Sequence, residues 1–373
     1  MKLLKKKILD ERNIFNSIFC MESYVFDKGL LDASKPISLH NEGNKEETIA
    51  AHDLELYYAL TDKHNIDLIS KVIKCCHQRL EWVLSDKKNL FDITVYFKIK
   101  KYEDNKLDFR PMHTARLIDL ICMVSILNCL MFDDDLDNGV RKLSDLSKLL
   151  PHNFYGNIPS TNVQYLFHKW QIKYKEYTEE IIEHCRTYQK NHNYLTAVSL
   201  DIKNFFPSIS PKMLYDYITS KLSKTYEDDK ETLGMAVAKL LYFNISKNNI
   251  EPWKEYYYPE DTELTCANQY MNYGIPQGLP QSYFFGNLCM INVKRLLMKE
   301  KTFKGGDAYF YVDDSVIYIQ SELDEDQFKE QIDALNERLK EECKKAKNGN
   351  STISNYIDEG YLAFQNKLDY TIK

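Results

Sequence analysis

From Asn13 to Leu90 apolar residues recur at three- and four-residue spacing, through Leu54, Tyr57, Tyr58 and Leu60 and again through Ile69, Val72 and Ile73. That is the period of a helix with one buried face, and it predicts a helical N-terminal lobe. Phe91 to Ile99 then alternates apolar and polar positions with β-branched residues among them, Lys101 to Asp108 reads as a polar loop, and Phe109-Arg110-Pro111 follows. A strand and hairpin are expected there. Leu117 to Phe132 is the longest apolar stretch, but it contains Asp119 and Asn128 and falls short of the roughly 20 residues of a membrane span, so it predicts a buried helix. Asp133 to Asp137 and Asn138-Gly139 read as a polar loop, and Tyr165 to Tyr188 is helical again.

The run Thr196-Ala197-Val198-Ser199-Leu200 has the pattern of a buried strand and ends in Asp201; Pro207 and Pro211, suited to a first helical turn, come next. Ala308 to Ile319 is two β-rich runs around Asp313-Asp314, a hairpin signature with both carboxylates at the bend. Asp324 to Lys347 reads as a charged amphipathic helix, and Tyr361 to Ile372 as strand. Strands and helices interleave without a βαβ rhythm or an internal repeat, which makes the class α+β.

At 373 residues, with 44% hydrophobic and 28% charged residues, the chain is globular and long enough for two or three lobes. Its net charge of -6 leaves no global positive field, so any nucleic-acid contact must come from local patches. Nine cysteines without a CxxC pair argue against a disulfide framework or zinc ribbon and fit a reducing cytoplasm. The basic start Met1 to Lys7 runs into Ile8-Leu9-Asp10-Glu11-Arg12 and lacks the apolar run of a signal peptide.

Tyr311-Val312-Asp313-Asp314 alone is a weak signal, because Asp-Asp also suits a solvated turn. The order of three segments is far stronger: Val198 to Phe206 with Asp201, then Gly274-Ile275-Pro276-Gln277-Gly278-Leu279-Pro280-Gln281-Ser282, then the Tyr-Val-Asp-Asp hairpin. In this the chain resembles the reverse transcriptases from Tyr96 to about Ile319. Arg110 to Ala115, Asn153 to Ser160 and Leu166 to Trp170 are closest to the bacterial abortive-infection, antiphage-defence members.

The resemblance implies a right-hand polymerase: a helical N-terminal lobe over residues 1–90, fingers over 91–195, and a palm of antiparallel sheet backed by helices over 196–373. A thumb is missing or not recognisable, so the chain is either a fragment or takes its grip on nucleic acid from a partner protein or a homo-oligomer. Lys367 is the candidate for protonating pyrophosphate.

Nucleotidyl transfer by two Mg²⁺ ions, with Mn²⁺ as possible substitute, needs oxygen ligands, and Asp holds such an ion close to rigid backbone. Asp201 and Asp313 are expected to bridge the ions. Asp314 is expected either to ligate more weakly or to hydrogen-bond nearby, and the Ile202 carbonyl to complete one shell. A ring at Phe206 is expected beneath the sugar, where it would clash with a 2′-hydroxyl and select dNTPs, with Phe205 in the core. Gln277 and Gly278 are expected at the nucleotide, and Lys100 and Arg110 at the triphosphate.

The expected partners are an RNA template or non-coding RNA, a DNA product and dNTPs, with no membrane. Extension from a 3′-hydroxyl or a protein hydroxyl, templated or not, remains open. The rival readings are a catalytically idle nucleic-acid-binding sensor and an RNA-synthesising polymerase. Two clusters are set aside: Asp133-Asp134-Asp135 with Asp137 as a solvated loop, and Cys75-Cys76-His77 because adjacent helical positions point apart.

Overall fold

The computed structural model describes residues 3–21, 37–40, 46–49, 53–62, 64–103, 106–137, 140–190, 196–202, 205–245, 274–298, 306–319 and 368–372, with helical positions at 326, 329, 330, 333, 334 and 337. In chain order the elements are α1 (Leu3–Ile8), α2 (Glu11–Cys20), β1 (Ile37–His40), β2 (Glu46–Ile49), α3 (Asp53–Thr61), α4 (Ile66–Val83), β3 (Phe91–Glu103), β4 (Lys106–Ala115), α5 (Leu117–Met131), β5 (Phe132–Asp137) and β6 (Val140–Leu143). They continue with α6 (Trp170–Lys190), β7 (Thr196–Ile202), α7 (Phe205–Ser208), α8 (Pro211–Leu222), α9 (Lys230–Leu241), β8 (Phe243–Ile245), α10 (Pro280–Leu297), β9 (Asp307–Tyr311), β10 (Asp314–Ile319) and β11 (Leu368–Ile372).

The apolar stretch after Ala115 is the buried helix α5, in which every residue except Ile118 is buried. Its polar residues survive burial because each has a partner. Asp119 receives Arg79 of α4 through Nε at 2.7 Å and Nη2 at 3.1 Å, and Asn128 donates to Ser17 and accepts from Arg141. Helices α1, α2 and α4 pack on α5, so the N-terminal helices and this helix share one core. Among the described residues no helix is long and apolar enough to cross a membrane.

Two sheets flank that core. One has the order β4-β3-β8, with β3 and β4 antiparallel and β8 parallel to β3. The other is antiparallel throughout, in the order β11-β7-β10-β9. Helix α6 lies against β9. There His184 stacks on the Tyr318 ring at 5.0 Å and meets the Tyr309 hydroxyl at 2.8 Å, while the Tyr318 hydroxyl donates to the Ile181 carbonyl.

Alongside its helices, the N-terminal segment carries the antiparallel pair β1 and β2. Other expectations are corrected. The polar stretch 101–108 is mostly strand: β3 continues to Glu103 and β4 starts at Lys106, because a two-stranded arm satisfies its own backbone groups and tolerates polar side chains in solvent. Asp133 to Asp137 is likewise strand β5 and not a loop. It pairs with β6 from Phe132↔Leu143 to Asp137↔Val140.

Helix α6 begins at Trp170 instead of Tyr165, because backbone groups just before it bond elsewhere: Leu166 N–H to the Cys20 carbonyl and His168 N–H to the Ile158 carbonyl. Pro211 opens α8 behind a Ser210 cap, whereas Pro207 lies inside the one-turn α7. Cys75, Cys76 and His77 sit on α4 as expected, with Cys76 buried and His77 facing Glu81 at 3.6 Å. The described positions from 326 to 337 are helical and exposed, in line with the predicted charged helix. Lys203, Asn204 and Lys367 lie outside the described residues.

Candidate active site

The site is assembled by strand register. Antiparallel pairing of β10 with β7 sets Ser315 opposite Leu200, so the next step along each strand carries Asp314 and Asp201 to the same end of the sheet. On its other side β7 pairs with β11, which sets Asp369 opposite Asp201 in register. The β9–β10 connection is a two-residue bend of Val312 and Asp313, closed by Asp314↔Tyr311. Only Asp313 of the two carboxylates therefore lies within the bend, and Asp314 opens β10. Val312 has φ 58°, a left-handed conformation that costs a β-branched residue of order 1–3 kcal/mol.

The three carboxyl groups act on one another. Burial, followed by the charges of Asp314 and Asp201, raises the Asp313 carboxyl to about 7, against the opposing pull of its own backbone and of Arg110. Burial and Asp201 also push Asp314 upward. Residues 112 positions apart in sequence thus share one electrostatic site, and Arg110 on β4 reaches its field. Lys100, in contrast, lies 3.6 Å from Asp108 in an exposed pair. The Ile202 side chain is buried at the end of β7.

Among the described residues no three acidic, histidine or cysteine side chains are set to close on one ion. The donor set nevertheless fits Mg²⁺, which takes one or two carboxylates and leaves its other positions to phosphate and water. The charge of Asp201 acts on both Asp313 and Asp314, and such a cluster of acids presents the field that a divalent cation neutralises.

The Pro-Gln-Gly segment docks between the strand-end segment and β4. Ile275 N–H bonds the Phe206 carbonyl at 3.0 Å, and at Gly274, with φ 62°, a Cβ would stand 2.3 Å from the Pro207 oxygen. At Gly278, with φ 114°, a Cβ would stand 2.5 Å from the His113 oxygen. His113 N–H donates to the Gln277 carbonyl at 2.7 Å, and its ring Nδ1 lies 3.0 Å from the same oxygen. Only a protonated Nδ1 can donate there.

Phe206 is largely buried rather than open to solvent. It is 6% exposed beside Phe205 at 3%, meeting that ring edge-on at 5.1 Å and the Tyr283 ring of α10 at 6.0 Å and 90°. The chain turns helical at Phe205, so the alternation of β7 does not continue into this pair.

Sequence reasoning gave no site role to His113, to Gly156, which packs under the bend, or to Tyr174 and Tyr177. The two tyrosines meet the Tyr311 ring at 5.2 and 5.7 Å. For His113 and Gly156 the only signal was their presence in segments read for resemblance.

Burial lowers the His113 imidazole to about 4, with the Gln277 contact opposing. A base depressed in the fold protonates first in the unfolded chain. Stability is therefore full above the ordinary histidine range and drains away as pH falls from about 6.5 to 4, by on the order of 3 kcal/mol. In urea titrations across that window His113→Gln is expected to flatten the slope, whereas an unchanged slope would place the acid sensitivity elsewhere.

Three motifs far apart in sequence thus meet around an acidic sheet end, the layout of a palm-type nucleotidyltransferase. Residues 136–355, more than half of the chain and including all three motifs, match the reverse transcriptase (RNA-dependent DNA polymerase) family, and the chain belongs to it. It is an RNA-directed DNA polymerase by family, with fingers and palm. No curated protein matches the chain.

Proposed function

We propose that Asp201, Asp313 and Asp314 are the metal-binding carboxylates of Mg²⁺-dependent DNA synthesis, on a palm spanning residues 196–373 with fingers at 91–195. The β7–β10 register supports this reading most directly, since it brings Asp201 and Asp314 to one sheet end, beside Asp313 in the bend. A pair of Mg²⁺ ions held at these oxygens, or Mn²⁺ in their place, supplies activation of the attacking hydroxyl and neutralisation of the leaving pyrophosphate.

The chain's own residues do the rest. Asp201 and Asp313 would hold the ions, with Asp314 and the Ile202 carbonyl as further oxygen donors. Arg110 on β4 offers a guanidinium fork to the triphosphate. Gln277 and Gly278, held to β4 through His113, set the nucleotide. Lys100, 3.6 Å from Asp108, is the second cation read as meeting the triphosphate.

Phe206 sets the sugar choice through the wall it makes with Tyr283. Phe206→Val is expected to raise rNTP use relative to dNTP by about 10–100-fold in kcat/KM. An unchanged ratio would assign sugar selection to another residue.

The wording of Arg110 to Ala115, Asn153 to Ser160 and Leu166 to Trp170 supports a bacterial, cytoplasmic antiphage role with an RNA template or non-coding RNA. Purified protein given labelled dNTPs, Mg²⁺ and RNA is expected to incorporate label. Cells carrying Asp201→Asn are expected to lose phage protection. Retained protection in that variant would favour the idle sensor, and preferential use of rNTPs the RNA-synthesising reading.

A further inference from the structure

Strand β9 is the outer strand of its sheet, and an edge strand leaves a row of backbone groups in need of partners. Here the edge is taken by the segment 153–157, which belongs to none of the three motifs. Phe310 N–H donates to the Asn153 carbonyl and Tyr155 N–H to the Phe310 carbonyl, both at 2.9 Å, so that Phe154 bridges Phe310 in parallel. The Phe154 and Phe310 rings stack at 4.8 Å, and the Asn153 amide donates to the Ala308 carbonyl.

One residue further on, Gly156 lies under the catalytic bend. A Cβ there would stand 2.5 Å from Val312 Cγ2 and 2.9 Å from the Val312 nitrogen, closer than real Cβ atoms come. The absence of a side chain at 156 lets the bend seat with Val312 in its left-handed conformation, which persists only where the surroundings over-determine it. The segment is in turn held from behind by α10. The buried Asn287 amide donates to the Gly156 carbonyl at 2.6 Å and to the Asn157 carbonyl at 3.3 Å, and Lys294 Nζ to Asn153 Oδ1 at 2.7 Å. Helix α10 starts at Pro280, two residues after Gly278.

We infer that residues 153–157 are a positioning strut that sets where the Tyr311–Asp314 bend stands, and that Asn287 and Lys294 couple this strut to the helix carrying the nucleotide turn. None of these residues touches the reacting atoms; each acts through the bend. The inference rests on the reading of Asp313 and Asp314 as metal ligands for its kinetic consequence, while its structural consequence is independent of that reading.

The test uses the full chain with Gly156→Ala and Asn287→Ala, the second removing the tie without adding bulk. Hydrogen exchange is followed at the Phe310 and Val312 amides, alongside kcat and KM for dNTPs. Both variants are expected to speed exchange at those amides by about tenfold or more while amides of α8 and α9 stay unchanged. Both are also expected to lower kcat by about 10–100-fold with KM for dNTP within about twofold, since the bend and not the nucleotide turn is displaced. Unchanged exchange at the bend would overturn the strut whatever the activity, as would a loss confined to KM. If Gly156→Ala does not fold, Asn287→Ala alone decides. Faster bend exchange in a protein whose wild type incorporates no nucleotide would uphold the strut and sink the polymerase reading.

Discussion

Asp313→Asn is expected to lower nucleotide incorporation by about a thousandfold or more, and to leave a protein more stable than the wild type in metal-free buffer at pH 8. The two effects have one cause. Burial together with Asp314 and Asp201 raises the Asp313 carboxyl to about 7, so its charged form is the one the fold disfavours. Stability from this group is complete below the ordinary carboxylate range and is lost as pH rises through about 7. Asparagine keeps the shape and removes the charge, relieving the repulsion, but it cannot supply the anionic oxygen that binding a divalent cation requires, an effect worth several kcal/mol in the transition state. Single-turnover incorporation and urea unfolding at pH 8 measure the two sides. A variant that is inactive and also less stable would show that Asp313 holds the bend together instead of straining it.

The second large effect is on stability. Arg79→Ala is expected to destabilise the protein by about 3–5 kcal/mol, because it strands a carboxylate inside the apolar helix α5. Burial pushes the Asp119 carboxyl up even with Arg79 opposing, so the pair is compensated rather than comfortable. Arg79 also lies over the Trp82 ring at 4.6 Å and reaches Asp92 at 3.4 Å, contacts that alanine forfeits. The double replacement Arg79→Met with Asp119→Leu is expected to recover most of the loss, since two apolar side chains avoid the desolvation that the ion pair only offsets. Urea unfolding of the three variants gives the comparison; a double variant as unstable as Arg79→Ala would mean the charges specify the packing of α4 on α5.

The features legible in the sequence were those written in local pattern. Helix α5 was visible as an apolar run, and β7 and the β9–β10 hairpin as β-rich runs ending in acids. What escaped depends on distant pairing or on small residues. Strand β5 carries charges that suit a loop and becomes a strand only because β6 pairs with it. His113 gains its role from a carbonyl 164 residues away, and Gly156 from having nothing where Val312 must pass. The burial of Phe206 was missed because the two-residue period of β7 was carried past the point where the chain turns helical.

The measurement that bears most directly on the central claim is anomalous diffraction from crystals soaked in Mn²⁺ with a non-hydrolysable dNTP analogue. Two Mn²⁺ peaks about 3.5–4 Å apart are expected, both within coordination reach of Asp201 and Asp313 oxygens. Nucleotide bound with Mn²⁺ away from both residues, or with the bend turned from Asp201, would contradict the assignment.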